Sequence, residues 1–584
     1  MRWLLVLALL PCACSSVAER DSAPLVDSRD CGAGISCAGV AGTDAAADAA
    51  NAAASLAVAH TWSHRASVLG EGRPALNAWA QCAIAAYPAL GAGKTVIEAA
   101  TLSVQCTDAL LDQVLAQRRD GWLPGTRHFD GIDLDIEFRQ LSPYLQGPLT
   151  LTLARDVPMT LYGDGGRMQR PGFGVPLAVL SARCDDRPLC KLLPPEGVFR
   201  NATAWIEPGR DAGDGQRTPP RLVIADAVAL DTLTVGTQRL ALAYDTSAGF
   251  ASGAGTSRLD RLAIWGLLGG HEVGRLAGLY LLEDYDPRKQ PLVMIHGLGS
   301  SPLTWARLSN AVWGAPELRE RFQVWHVVYQ TNAPLLVTRR RVQRYLDEAW
   351  SILDPEGDDE ARSGVVLVGH SMGGVVARLL CIDSGEVLWN AAFVAPISTL
   401  TADPADLKSV DEVFHFKPYP GISRAIFIAS PHGGSPSATR WFGRLARVLV
   451  GRRTPELESL KRISEANPEA VQPELRLFYQ QARLNSISTL QTQQPVRVAG
   501  QALMPAAGIR YHTIAGALPG RSPQTDGVVP LSSAVIPGAE STLVLPAGHD
   551  VHESAAGVAE VLRILRASID ADDLEGKQGV APQQ

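Results

Sequence analysis

The sequence predicts an α/β protein in which a mostly parallel sheet carries helices on both faces, preceded by a helical region and a β-rich region. Two observations in the second half of the chain lead to this prediction. Short apolar runs alternate there with longer amphipathic stretches, as where 292–295 is followed by 303–318. In addition, the four apolar residues 365–368 run directly into a Gly-rich turn, as expected of a strand that is buried on both faces.

The same patterns assign the other elements in order. Ala-rich stretches with helical spacing of apolar residues predict helices near 44–60, 74–89 and 95–118. Between 146 and 285 short alternating runs broken by Gly and Pro indicate strands. The later elements are strands at 322–329, 425–428, 511–514 and 543–545, an amphipathic helix at 338–353 and a closing helix near 554–567.

With 584 residues the chain is too long for one core. We therefore predict a signal segment at 1–19, a linker at 20–43, a mainly helical region at 44–145, a β-rich domain at 146–285, the α/β domain at 286–570 and a disordered tail at 571–584. The hydrophobic content of 46% is typical of globular protein, and the net charge is only −7. Nucleic-acid binding, which calls for a concentrated basic surface, gains no support.

The first residues carry an export signal. Arg2 precedes the apolar run 3–10, which is far shorter than a membrane-spanning helix. The following Ala13-Cys14-Ser15-Ser16 resembles a bacterial lipoprotein processing site, although Pro11 stands where such sites usually have Leu. We expect Cys14 to be lipidated and to anchor the protein in the bacterial cell envelope, at the outer membrane on its periplasmic or surface side. Plain secretion is the alternative.

An exported chain can form disulfides. The near neighbours in sequence would pair 31 with 37, 82 with 106, and 184 with 190. Cys381 is left over, and its place in a predicted helix indicates a buried free thiol.

Ser371 is the candidate nucleophile. Gly369 and Gly373 flank it in the pattern G-x-S-x-G, between an apolar strand and an amphipathic helix. A side chain at either glycine would collide where the strand folds back into the helix, so the serine is left on a strained corner with its hydroxyl exposed.

Two backbone amides are predicted to bind the oxyanion. Acyl transfer builds negative charge on a carbonyl oxygen, and N–H donors must already be in place there. The Gly-rich loop 296–300 follows the first strand of the α/β domain, and the elbow follows another. We assign the donors to the amides of Leu298 and Met372, whereas His296 is expected to shape the loop.

A serine nucleophile also needs a base and an orienting acid. Asp526 follows the strand at 511–514, and His549 follows the last strand, so both should project from the carboxyl edge of the sheet, as Ser371 does. His552 is the alternative base. We expect it at the start of the closing helix or in solvent, with little influence on turnover.

Five segments together carry a family resemblance. They are His296-Gly297-Leu298-Gly299, 322–329, Gly369-His370-Ser371-Met372-Gly373-Gly374, Ala429-Ser430-Pro431-His432-Gly433-Gly434-Ser435 and Asp526-Gly527-Val528-Val529-Pro530. They resemble bacterial lipase and esterase-like proteins of the α/β-hydrolase fold, including the set related to the GPI-inositol deacylases. That family commonly has Arg or Lys at the position of Gly433. The resemblance covers roughly 286–570, and the amino-terminal half has no assignment by motif.

The resemblance implies hydrolysis of carboxylic esters in lipids or small molecules through an acyl-enzyme, with Ser371, His549 and Asp526 as the triad and with no metal or cofactor. Residues 384–423 and 436–505 could form a cap that favours an apolar acyl chain. Thioester cleavage and acyl transfer to an alcohol stay open on the same site. A catalytically silent lipoprotein that uses the hydrolase fold for binding is the alternative from another class.

Overall fold

A computed structural model describes residues 43–578 apart from 92, 118–120, 130, 212–216, 257–275, 437–453 and 483. The export signal, Cys14 and the pair of cysteines at 31 and 37 lie outside these residues. No helix among the described residues is both long and apolar enough to cross a bilayer.

The helices are α1 (Thr43–Leu69), α2 (Arg73–Ala86), α3 (Val96–Gln117), α4 (Ala227–Leu230), α5 (Ala248–Thr256), α6 (Ala306–Gly314), α7 (Pro316–Arg321), α8 (Leu335–Leu353), α9 (Met372–Leu380), α10 (Val387–Ala392), α11 (Pro404–Phe414), α12 (Pro455–Ala466), α13 (Pro473–Gln480), α14 (Ser486–Thr489), α15 (Pro495–Gly500), α16 (Leu531–Ala534) and α17 (Ala555–Gln578). The strands are β1 (Gly125–Phe129), β2 (Ile132–Arg139), β3 (Thr150–Leu153), β4 (Gln169–Arg170), β5 (Val175–Ser181), β6 (Val198–Glu207), β7 (Arg221–Ala225), β8 (Thr232–Val235), β9 (Gln238–Ala241), β10 (Tyr244–Asp245), β11 (Gly278–Leu281), β12 (Gln290–Ile295), β13 (Phe322–Val328), β14 (Val365–His370), β15 (Ile422–Ile428), β16 (Arg510–Gly516) and β17 (Ser541–Leu545).

The second half of the chain folds around a seven-stranded sheet in the order β11-β13-β12-β14-β15-β16-β17. Every pair is parallel except β11 with β13. Each residue of β14 is buried, as is each residue of β13, because helices cover both faces of the sheet. The fold class is therefore the predicted one, and the six strands read from the apolar runs all belong to this sheet.

A second, six-stranded sheet in the order β1-β2-β7-β6-β5-β3 forms the amino-terminal half. Helices α1 to α3 share one apolar cluster with this sheet, which explains the alternating burial along β2. Two disulfides lie in this half, Cys82 with Cys106 and Cys184 with Cys190, as predicted. Cys381 is a buried free thiol in the other half, also as predicted.

Three boundaries differ from the expected ones. The first sheet already begins at Gly125, inside the region predicted to be mainly helical, because Ile132, Leu134 and Ile136 alternate with polar residues. Strand β11 lies inside the predicted β-rich domain but pairs with β13 of the α/β domain. Helix α17 continues to Gln578, into the predicted disordered tail, since its last turns are rich in good helix formers.

The two halves of the chain share a core. Tyr162, Phe199 and Phe250 from the amino-terminal half belong to the same apolar cluster as Trp305 and Trp313. The rings of Phe250 and Trp313 lie 5.4 Å apart, centroid to centroid. Hydrogen bonds also cross between the two halves. For example, Ser247 Oγ donates to Asn310 Oδ1 at 2.6 Å.

Helices α10, α11, α12, α13 and α15 pack together as a separate helical layer, which we call the cap. They come from the two segments that the sequence indicated as a cap, on either side of β15. The cap core includes Leu388, Val410, Leu460 and Tyr479, and it rests on Val337 of α8.

Candidate active site

Ser371 stands between β14 and α9 in a conformation that side chains rarely adopt, with φ 52° and ψ −124°. The turn is possible only because its neighbours are glycines. A Cβ on Gly369 would lie 2.5 Å from Gly373 O, and a Cβ on Gly373 would lie 2.1 Å from Ile295 O. Gly374 is equally crowded, since a Cβ there would lie 1.8 Å from Ser430 Oγ. The closely packed turn holds the serine in this strained conformation at the corner where the strand meets the helix.

The three residues of the predicted triad lie in one hydrogen-bonded chain. His549 Nε2 is 2.9 Å from Ser371 Oγ, and His549 Nδ1 is 2.7 Å from Asp526 Oδ2. Because an ionised carboxylate can only accept, Nδ1 carries the proton and Nε2 is left to accept the serine hydroxyl. The Asp526 carboxylate is buried, and its other oxygen accepts from the amides of Val528 and Val529 at 2.8 and 2.6 Å.

The carboxyl edge of the sheet is what brings these residues together. Ser371 follows β14, Asp526 follows β16, and His549 follows β17. Gly516, the last residue of β16, shows how closely the chain segments converge, since a Cβ there would lie 2.7 Å from Gly548 O and 2.9 Å from Asp526 Cβ.

The loop after β12 lies against the serine. A Cβ on Gly297 would lie 3.1 Å from Ser371 Cβ, so the next residue, Leu298, is a near neighbour of the nucleophile. The loop is held from outside by Thr331, whose Oγ1 accepts from the amide of Gly299 at 3.2 Å. Met372 is the first residue of α9, where an amide has no carbonyl of its own helix to bind. Leu298 and Met372, whose amides we predicted as oxyanion donors, thus follow Gly297 and Ser371 directly in the chain.

His296 is buried and takes no part in the chain of hydrogen bonds. Its ring stacks on Tyr329 at 4.5 Å, and the Tyr329 hydroxyl donates to His296 O at 2.6 Å. Burial lowers the pKa of His296 to about 4. A neutral ring that packs under the loop fits the expectation that this histidine shapes the loop.

His552 corrects one expectation. It lies at the start of the closing helix region, as predicted, but it is only 4% exposed and is therefore not in solvent. Its ring stacks on His370 with centroids 3.6 Å apart, and its Nε2 lies 2.5 Å from Thr304 Oγ1. The physical reason is that the short helical turn 551–553 points the ring back under the elbow rather than outward.

Among the described residues, one group of acids brings its oxygens close together: Asp354, Asp358 and Asp359, which follow α8. Asp354 already accepts from Arg362 Nε at 2.6 Å and from the amide of Gly357 at 2.8 Å. These acids come before β14, towards its amino end, whereas Ser371 follows its carboxyl end.

The comparison with protein families agrees with this geometry. Residues 292–561 match the model of the alpha/beta hydrolase family. The chain contains an α/β-hydrolase domain. The matched segment begins in β12 and ends in α17, so it holds Ser371, Asp526 and His549.

Solved structures similar to the α/β-hydrolase domain include lipases and esterases. The mature lipase BlEst2 of Bacillus licheniformis is 18% identical, with 48% of this chain and 94% of that chain covered and a TM-score of 0.26. Lipase 1 of Pelosinus fermentans is 14% identical, with 46% and 94% covered and a TM-score of 0.27. A metagenomic carboxyl esterase is 17% identical, with 45% and 65% covered and a TM-score of 0.25. The search of curated proteins found no match.

Sequence reasoning missed two residues, His370, which contacts the triad, and Thr304, which contacts His552. His370 Nε2 lies 3.0 Å from His549 O, although His370 is known from the sequence only as the residue before the serine. Thr304 lies in the short turn before α6 and contacts His552. Neither contact has a signal in the sequence, because each joins segments separated by about 180 residues or more.

Proposed function

We propose that the protein is a serine hydrolase that cleaves carboxylic esters of the lipase and esterase type. The observation that carries this proposal is the chain of hydrogen bonds from Asp526 through His549 to Ser371, with the serine on a strained elbow. A serine hydroxyl by itself is a weak nucleophile, but a base that is already aligned and held in the correct tautomer activates it.

In the proposed reaction His549 Nε2 takes the proton of Ser371 Oγ as that oxygen bonds to the acyl carbon. The carbonyl oxygen becomes an oxyanion, which the amides of Leu298 and Met372 stabilise. His549 then gives the proton to the departing alcohol, and the acyl group is left on Ser371. Water attacks this acyl-enzyme with His549 as base, which releases the acid and restores the serine.

The acyl side of the substrate is best matched by an aliphatic chain. A cavity of about 90 Å³ lies between α9 and the cap, with Val375, Leu379, Leu335, Val410, Leu460 and Tyr479 among its walls. Its walls are mostly apolar, although Arg378, Glu456 and Arg497 also line it, so an aliphatic chain gains contacts by filling it.

Two of the cavity walls start at the site. Val375 is one helical turn beyond Ser371, and its amide lies 3.4 Å from Ser371 O. Leu335 begins α8 four residues after Thr331, which holds the loop at Gly299. Because these two walls lie near the elbow and the loop, we propose that a chain attached to Ser371 extends between α8 and α9 into the cavity.

The lipid anchor at Cys14 and a place in the bacterial cell envelope are part of the proposal, on the strength of the export signal alone. An anchored hydrolase would meet its esters at or near a membrane surface. The relation to the GPI-inositol deacylases likewise stays a prediction from the shared motifs.

Thioesters and acyl transfer to an alcohol use the same acyl-enzyme and are secondary candidates. A silent binding protein is a weaker candidate, because such a protein has no need to keep an aligned base, acid and nucleophile.

Labelling with a fluorophosphonate probe tests the proposal directly. We expect one label per chain, located on Ser371 by peptide mass spectrometry, with loss of p-nitrophenyl butyrate hydrolysis in step with labelling. The matched control is Ser371→Ala, which should be folded, unlabelled and inactive. A folded wild-type protein that neither labels nor hydrolyses p-nitrophenyl esters would refute the proposal.

A further inference from the structure

Two buried histidines form a stack directly beneath the triad. The rings of His370 and His552 lie 3.6 Å apart, centroid to centroid, with an angle of 17° between their planes. His370 is 5% exposed and His552 is 4% exposed, so water has almost no access to them. His370 immediately precedes Ser371, and His552 follows His549 by three residues. The stack thus joins the strand that carries the nucleophile to the segment that carries the base.

The outer ring of the stack is fixed by Thr304. The Thr304 hydroxyl lies 2.7 Å from Glu553 Oε1 and 2.5 Å from His552 Nε2. The single hydroxyl proton goes to the carboxylate, which cannot donate, so His552 must donate its Nε2–H to Thr304 Oγ1. This assignment leaves Nδ1 of His552 as a lone pair, and among the described residues that atom has no hydrogen-bond partner.

The inner ring of the stack holds the main chain of the base. His370 Nε2 lies 3.0 Å from His549 O, and because a carbonyl can only accept, His370 donates this hydrogen bond. Its other nitrogen, Nδ1, faces Gly297 of the oxyanion loop, where a Cβ would lie 3.2 Å away. His549 is therefore held twice, by Asp526 at the side chain and by His370 at the backbone.

We propose that His552 is a positioning residue for the base, acting through the ring of His370 that it supports. This proposal replaces the expectation from the sequence that His552 has little influence on turnover. The inference rests on the proposed hydrolysis at Ser371. Without the His552 ring, His370 has free space on one face and can rotate about its side-chain bonds. The hydrogen bond to His549 O then loses its alignment, and the imidazole of His549 moves relative to Ser371 Oγ.

The stack needs both rings to be neutral, since two imidazolium rings in face-to-face contact would repel each other. Burial lowers the pKa of His552 to about 3, and it lowers the pKa of His370 well below the usual value. The two rings consequently remain uncharged at neutral pH. The ring of His370 can lie 4.9 Å from the ring of His549, which becomes positively charged during turnover, without adding positive charge beside it.

Three substitutions at His552 separate stacking from hydrogen bonding and from simple support of the fold. His552→Ala removes both the ring and the donor. His552→Phe keeps a flat ring and removes the donor, whereas His552→Gln keeps a donor at a similar distance and removes the ring. All three are compared with wild type by thermal unfolding, so that rates are measured only where each variant is folded.

For His552→Ala we expect kcat for p-nitrophenyl butyrate to fall about 10- to 100-fold, because displacement of a catalytic group by about 1 Å costs up to about 100-fold. KM should change less than about twofold, and the rate of fluorophosphonate labelling should fall with kcat. His552→Phe should recover kcat to within about threefold of wild type, and His552→Gln should resemble His552→Ala.

Other results would overturn the inference in different ways. A folded His552→Ala variant with wild-type kcat removes any role for the residue. Recovery by His552→Gln but not by His552→Phe would assign the effect to the hydrogen bond with Thr304 instead of the stack. If neither His552→Phe nor His552→Gln recovers kcat, and if thermal stability falls in proportion to activity, His552 is a structural residue only. A wild-type chain that neither labels nor hydrolyses overturns the proposed function, and this inference with it.

Discussion

Val375 offers the sharpest test of the acyl cavity. Its side chain lies on the wall between the elbow and the cap, and the residue is 8% exposed. The substitution Val375→Trp places an indole in the space that the acyl chain would occupy. Because the side chain of Val375 supplies no group to the proposed reaction, the chemistry on a short acyl group should continue.

The expected magnitude follows from burial of methylene groups. Each CH₂ transferred from water into an apolar site contributes about 0.8 kcal/mol. At 25 °C this corresponds to about a fourfold rise in kcat/KM per methylene while the chain fills the cavity. Between butyryl and octanoyl esters the wild-type preference could therefore reach about 200-fold, and this preference is what the indole should remove.

The assay is kcat/KM for p-nitrophenyl esters from acetate to laurate. Wild type should show a rising series and then a plateau. Val375→Trp should show a flat series with acetate hydrolysis within about threefold of wild type. Val58→Trp, at a half-exposed valine of α1, is the control for adding an indole elsewhere and should keep the wild-type series. An unchanged rise in Val375→Trp would show that the acyl chain does not enter this cavity.

Three further predictions concern the acid, a buried histidine and the anchor. Asp526→Asn should lower kcat by about 10⁴-fold, because the base then loses its tautomer, while the variant stays folded by circular dichroism; a loss below about tenfold would contradict the role of the acid. Burial lowers the pKa of His326 to about 3, so the unfolded chain binds one more proton than the folded chain between about pH 6.5 and 3, and stability falls as pH falls through this window. His326→Gln should make this dependence shallower by about 1.4 kcal/mol per pH unit in denaturant titrations, and an unchanged slope would contradict the assignment. Cys14→Ser should move the protein from the membrane fraction to the soluble fraction, and a parent protein that is soluble from the start would refute the anchor.

The α/β sheet could be predicted well because its strands are buried on both faces. Such strands consist of continuous apolar runs, and the segments 365–368 and 425–428 allow few other interpretations. Strand β11 was assigned to the wrong half of the chain, because it is a four-residue antiparallel edge strand next to other short strands. Its partner β13 lies more than 40 residues away, and pairing of this kind leaves no local pattern.

In the candidate site, too, some features could be predicted from the sequence and others could not. Ser371, Asp526 and His549 could be assigned because each follows a strand, and the carboxyl ends of parallel strands converge. The environment of His552 could not be assigned, since its burial depends on the ring of His370, which comes 182 residues earlier in the chain. A histidine beside a helix start is exposed in one fold and buried in another, so only the tertiary structure distinguishes them.

The core shared by the two halves limits how the protein can be divided. Phe199 and Phe250 of the amino-terminal half pack into the same cluster as Trp313 and Val324 of the hydrolase half. If the α/β-hydrolase domain were produced alone, this face of its helices would meet water, and exposed aromatic surface of this kind promotes aggregation. Strand β11 adds a second constraint, because a chain that starts at the expected boundary of residue 286 would lack the edge strand that covers β13. The amino-terminal half therefore has to be produced together with the α/β-hydrolase domain.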